Sequence, residues 1–283
     1  YGWIGPGMSV LKRDFLPATL TDEIGQAGID GVVSVQARQT VEETEWLLAM
    51  AAEHEFIRGV VGWVPLASPD MLSVLEPLAQ SPWLKAVRHV IQDEPDDAFI
   101  LGTEFNRGVS QLKQLGLVYD VLIFATQLAN SIRFVDQHPD QPFVLDHIAK
   151  PTIGATEFHE AWAVELRELA RREHVVCKFS GVVTEVRDAT WSVEVIRPYW
   201  DVAIDAFGPK RLMFGSDWPV CLSRSGYGQW VSTVRELIAG LSLTEQNDIM
   251  GANACRAYDL STGTAATSPT FVRIVTDDRQ QPL

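Results

Sequence analysis

Cysteine is scarce: three of 283 residues, with Cys177, Cys221 and Cys255 far apart and no Cys-x-x-Cys pair among them. That spacing argues against a disulfide framework or a zinc knuckle and reads as reduced, buried thiols in a cytoplasmic protein. Basic residues are also few, 23 Lys and Arg against 37 Asp and Glu, for a formal charge of −14. With no dense basic run, such a chain repels phosphate backbones and anionic headgroups, so neither nucleic acid nor membrane is an expected partner. No apolar stretch approaches the ~18–20 residues of a bilayer span, and no secretory leader precedes Tyr1. An initiator Met is absent too, so a natural start upstream of Tyr1 is expected. The Gly-rich phosphate loop, the Gly-x-Ser-x-Gly elbow and the His-Glu-x-x-His helix are all missing.

What is present is alternation. Short apolar runs at 31–36, 57–64, 85–91, 117–123, 143–147, 175–180 and 211–215 read as strands buried on both faces. Amphipathic stretches lie between them: 18–27, 40–54 behind the capping box Thr40-Val-Glu-Glu43, one opened by Ser68, then 156–172, 188–207, 227–240 and 243–258. Strand–helix alternation of this kind predicts an α/β fold, a TIM (β/α)₈ barrel. Seven strands are counted and the chain opens on a helix, so the expectation is a barrel lacking strand 1, spanning 1–260. Residues 261–283 are small and polar and read as a C-terminal tail, with 271–275 a candidate extra strand.

Active sites of such barrels sit at the C-terminal strand ends, which turns the strand register into candidates. Asp217, after Phe214-Gly-Ser, is placed to take a proton from water or hold a cation; the plain alternative is a helix cap or turn former. His147 is a proton shuttle, a metal ligand or a core histidine satisfied by a carbonyl. Asp146 is expected to alternate toward the helices. Arg88 and His89 are neighbours on one strand and cannot both face inward. Arg88 suits a carboxylate or polarised carbonyl, or else pairs with a barrel acid. Lys178 carries the same ambiguity and stays outside the catalytic set. Gln36, Trp63, Asp120, Lys150, Ser180, Ser216 and Trp218 complete the strand-end groups. His54, His138, His159 and His174 read as surface or packing residues.

The segments 32–36, Val60-Val-Gly-Trp-Val-Pro-Leu66, Ala86-Val-Arg-His-Val-Ile-Gln92, Leu145-Asp-His-Ile-Ala-Lys-Pro151, Cys177-Lys-Phe-Ser-Gly181 and 212–219 resemble, in order, the amidohydrolase-related sugar-lactonase family. That group includes L-fucono- and L-rhamnono-lactonases, sulfomuconolactone hydrolases and pyrone-dicarboxylate lactonases. The resemblance implies hydrolytic opening of a lactone in carbohydrate catabolism, with Asp217 activating water. It implies His147 and His89 as further catalytic residues and Arg88 at the substrate, where strand-end position also puts Gln36, Trp63, Lys150 and Trp218. Members carry a His-x-His pair on strand 1, which this sequence does not show. With that pair, His147 and Asp217 would share one divalent metal, Zn or Mn; without it, a metal-independent reaction is implied, since a catalytic zinc takes three protein ligands. Two other readings stand beside lactone opening: a decarboxylase of the same superfamily, and an inactive binding protein that keeps the pocket. A small-molecule substrate is expected, and a homo-oligomer is left open.

Overall fold

A computed structural model describes residues 1–260; the tail, with its candidate strand at 271–275, lies outside the described residues. Seven strands form one curled parallel sheet in chain order: β1 (Val32–Val35), β2 (Ile57–Gly62), β3 (Leu84–Val90), β4 (Val118–Leu122), β5 (Phe143–Leu145), β6 (Val175–Phe179) and β7 (Leu212–Phe214). Each neighbouring pair is parallel. The helices that return the chain include α1 (Pro17–Ala27), α2 (Val41–Glu53), α3 (Met71–Ala79), α4 (Thr103–Val109), α5 (Leu128–Gln137), α6 (Glu160–Ala170), α7 (Val193–Phe207) and α8 (Tyr227–Ile238). Short helices α9 (Leu243–Asn247) and α10 (Asn253–Ala257) finish the described chain. The strand count and the TIM-barrel class agree with the sequence reading.

Strand β4 shows why apolar runs become strands here. All five of its residues are buried. Tyr119 and Val121 join the layer between sheet and helices, while Val118 joins a lumen cluster with Val61, Ala86, Val144, Met213 and Tyr258. A strand covered on both faces therefore has no polar face to alternate with. Helix α5 was not anticipated, because its polar residues hide a short apolar stripe of Leu128, Phe134 and Val135. At α2, Thr40 Oγ1 accepts from Glu43 N at 3.2 Å as expected. The Glu43 carboxylate, however, accepts from the backbone N–H groups of Ala37 and Arg38 at 2.8 and 2.6 Å, so the box is only half formed.

The sheet does not close among the described residues. Strand β1 pairs only with β2, β7 only with β6, and all four β1 residues are half-buried. Between these two edges lies a cavity of about 810 Å³, reaching from Tyr1 to Leu260. It opens the lumen, and with it the strand-end groups, to view.

Candidate active site

His147 reaches the lumen by leaving the strand. Strand β5 stops at Leu145, and His147, Ile148, Ala149 and Lys150 all take left-handed backbone, with φ of 52°, 47°, 59° and 47°. Such a conformation costs non-glycine residues about 1–2 kcal/mol each, so the turn has to be held. The buried Trp162 indole N–H donates to Ile148 O at 2.7 Å, and Lys150 N donates to His147 O at 2.8 Å. The imidazole Nδ1 is hydrogen-bonded to Ser180 Oγ at 2.7 Å. Burial pushes this histidine down to about 3, against the pull of Asp146, so it is neutral at physiological pH.

Asp217 follows β7 and is also left-handed, at φ 54°. Its carboxylate caps nothing: the Trp218 N–H donates to Ser216 Oγ at 3.2 Å instead. Burial pushes Asp217 up to about 7, with Lys150 and then Arg88 acting in the opposite direction. Asp217 Oδ1 stands 3.7 Å from His147 Nε2. That is too long for a hydrogen bond, and one oxygen at about 2.8 Å from each atom can bridge them only from beside the line that joins them. Gly181, at φ 63°, makes this approach feasible, since a Cβ there would lie 2.8 Å from His147 Nδ1 and 3.1 Å from Asp217 Oδ2.

Beneath this pair lies a charged layer. Arg88 Nη1 donates to Asp146 Oδ2 at 2.8 Å, and Lys178 Nζ meets Asp146 Oδ1 at 2.7 Å and Asp120 Oδ2 at 2.6 Å. The Tyr258 hydroxyl donates to Asp120 Oδ2 at 2.8 Å. Asp146 thus faces the lumen, which corrects the expectation that it turns toward the helices. Alternation carried on from the lumen residue Val144 puts Asp146 inside, and it is His147 that enters by the turn. Burial disfavours the Asp146 anion, but Lys178 and Arg88 outweigh it and hold its pKa below the usual range. Burial likewise disfavours the Lys178 ammonium, and Asp120 and Asp146 together raise its pKa.

Of the groups singled out in the sequence, Gln36, Arg88, His147, Lys178, Ser180, Asp217 and Trp218 line the cavity, and Asp146 joins them. Gln36 and Arg88 are tied to each other, Gln36 Nε2 donating to Arg88 O at 3.2 Å and Arg88 Nη2 donating to Gln36 O. Trp218 meets Phe15 edge-on at 5.2 Å. Lys150 does not line the cavity; its ammonium lies 5.7 Å from the Phe124 ring, though its charge acts on both Asp217 and His147. Trp63 and His89 stand apart. The Trp63 indole can only donate, so its 3.2 Å contact makes His89 Nδ1 an acceptor, and His89 Nε2–H donates to Glu94 Oε1 at 2.6 Å. Phe99 stacks on the same imidazole at 5.0 Å. Both His89 nitrogens are therefore occupied, and its ring is outside the cavity lining. Asp146, Gly181 and the buried Glu185, whose charge acts on Asp217, complete the surroundings and were outside the predicted set.

The left-handed His147 turn facing a strand-end carboxylate sits in a barrel whose sequence matches the amidohydrolase family model over residues 5–260. The chain belongs to the amidohydrolase family. Among relatives, the L-fucono-1,5-lactonase of Burkholderia multivorans is 40% identical, covering 92% of this chain and 91% of its own. The L-fucono-1,5-lactonase of Burkholderia ambifaria is 33% identical, over 90% and 89%. A crystal structure of an amidohydrolase from Burkholderia multivorans with bound zinc superposes with a TM-score of 0.88 at 40% identity, over 92% of this chain and 94% of that one.

That zinc poses a question of fit. Two ligands of a tetrahedral zinc, each about 2.1 Å from it, stand about 3.4 Å apart, close to the 3.7 Å between His147 Nε2 and Asp217 Oδ1. Among the described residues, however, no three His, Cys, Asp or Glu side chains converge. The pair supplies two of the three protein ligands a catalytic zinc takes and does not make the site alone.

Proposed function

We propose that this amidohydrolase opens an uncharged sugar lactone by water attack, with Asp217 as general base. The observation that carries this reading is the 3.7 Å gap between Asp217 Oδ1 and His147 Nε2, spanned by no direct bond and backed by a carboxylate poised near pH 7. The L-fucono-1,5-lactonase names of the two Burkholderia relatives point to the same chemistry.

In this scheme a water bridging the two side chains gives a proton to Asp217 as its oxygen bonds to the lactone carbonyl carbon. Neutral His147, steadied by Ser180, fixes the water, and the Lys150 charge, outside the cavity lining, acts on the developing oxyanion only at a distance. The tetrahedral adduct then expels the ring oxygen, which takes the proton back from Asp217, giving a hydroxy acid and restoring the carboxylate. Gln36 and Trp218 line the substrate space. Arg88 and Lys178, the two lumen cations, are already paired with Asp146 and Asp120, which favours a substrate without a carboxylate of its own. Trp63, engaged with His89, stands apart from this space.

No step here runs through a metal, because the described residues supply only two ligands. The rest of the reading is a cytoplasmic enzyme of small molecules: its cysteines are free, and no helix among the described residues is long and apolar enough to cross a membrane. A panel of five- and six-membered sugar lactones tests the proposal by acid release. Hydrolysis without CO₂ is the expected result; CO₂ release from carboxylated aromatic substrates, or inertness throughout, overturns it.

A further inference from the structure

The charged layer below His147 is more than barrel filling. Lumens of this fold are ordinarily packed with branched apolar residues, as the layer of Val61, Val118, Val144 and Met213 is here. One step higher, four ionised side chains replace them, with Asp120 wholly buried and its Oδ1 unpartnered. Buried ion pairs are often neutral or worse for stability than apolar packing of the same volume, so stability does not account for them.

Their connectivity does. Asp146 is the last residue before the left-handed turn, and cations from two strands pair with it: Arg88 of β3 is hydrogen-bonded to Oδ2 at 2.8 Å, and the Lys178 ammonium of β6 lies 2.7 Å from Oδ1 in an ion pair. Lys178 is aimed in turn by Asp120 at 2.6 Å, which Tyr258 holds from the C-terminal helix. A turn of four strained residues settles where its ends are fixed. Trp162 holds the middle through Ile148 O, and Asp146 holds the start.

We propose that Lys178 is a positioning residue: by clamping Asp146 it fixes the left-handed turn that presents His147 to Asp217. Lys178 lines the same cavity as His147 and its charge reaches that ring, but its contacts are with Asp146 and Asp120, and the clamp acts through Asp146. The proposal rests on the lactonase reading for its kinetic effect, but its structural content does not.

The test is Lys178→Gln, read two ways. The first is kcat and KM on whichever sugar lactone wild type opens. The second is the Cε1 resonance of His147 in protein carrying carbon-13 histidine, where six histidines give few enough signals to assign with His147→Gln. Misplacement of a reacting group by about 1 Å costs about 100-fold, so kcat falls by about that factor while KM stays within about threefold, and the His147 resonance shifts. Lys178→Arg, which keeps the cation, restores kcat to within about tenfold of wild type. Should Lys178→Gln not fold, Lys178→Gln/Asp120→Asn removes one charge of each sign, keeps the Arg88–Asp146 pair neutral, and is held to the same two readouts. An unmoved His147 resonance overturns the clamp whatever the activity, as does a kcat within threefold of wild type. If wild type opens no lactone, the function reading fails and the resonance still decides the clamp.

Discussion

Replacing Asp217 by Asn should make the protein more stable at neutral pH while slowing turnover by about 10²–10⁴-fold. The Asp217 carboxyl ionises near 3.8 in an unfolded chain and near 7 in the fold, where burial is the dominant cause. Between those values the folded protein binds a proton that the unfolded chain has released, so wild-type stability falls as pH rises from about 4 to about 7 and then levels. Each tenfold change in proton affinity is worth about 1.4 kcal/mol, which sets an upper bound of about 4 kcal/mol on the cost above pH 7. Since 17% of the side chain still meets solvent, screening lowers the expected cost to about 2–4 kcal/mol. Asn does not titrate, and whatever its amide gains or loses locally is constant with pH. Urea unfolding of both proteins from pH 4.5 to 8.5, with chelator present throughout, should therefore show a difference that grows in favour of Asn and flattens above about pH 7. A difference that ignores pH, or one that grows in favour of wild type, would refute the reasoning. The second outcome would mean that a bound cation or an unseen partner holds Asp217 ionised.

Gly181→Ala should cost at least about 100-fold in kcat, because the added Cβ would lie 2.8 Å from His147 Nδ1 on a backbone at φ 63°; wild-type kcat in this variant would mean that His147 has room to spare. Stripping divalent ions with a chelator should leave kcat/KM within about threefold, since only two ligands converge among the described residues. A loss beyond tenfold, restored by zinc, would show that metal belongs in the scheme.

Much of the architecture was legible in the sequence because the strands are buried on both faces. Runs such as Val118–Leu122 have no solvent face and stand out from any helix. The strand-end rule pointed to the stretch that holds His147 and to Asp217. It erred where the chain stops being a strand. Counting from Val144, parity places Asp146 inside and His147 outside; the left-handed turn after Leu145 brings His147 in as well, and no local residue type announces it, since none of the four is glycine. Parity also explains Arg88 and His89: with Arg88 in the lumen, His89 falls outside and is taken up by Trp63 and Glu94. The Glu94 contact depends on how a short helical turn folds back after β3, and Tyr258 reaches Asp120 across 138 positions. Contacts of that kind belong to the tertiary fold and leave no periodic trace.

The most direct test of the central claim is acid release from a sugar lactone of the panel by wild type and by Asp217→Asn, corrected for spontaneous hydrolysis. General-base catalysis is worth about 10²–10⁴-fold, so wild type should turn the lactone over and the Asn variant should be slower by a factor in that range, with its fold intact. An Asn variant within tenfold of wild type would contradict the account and remove Asp217 from the chemistry.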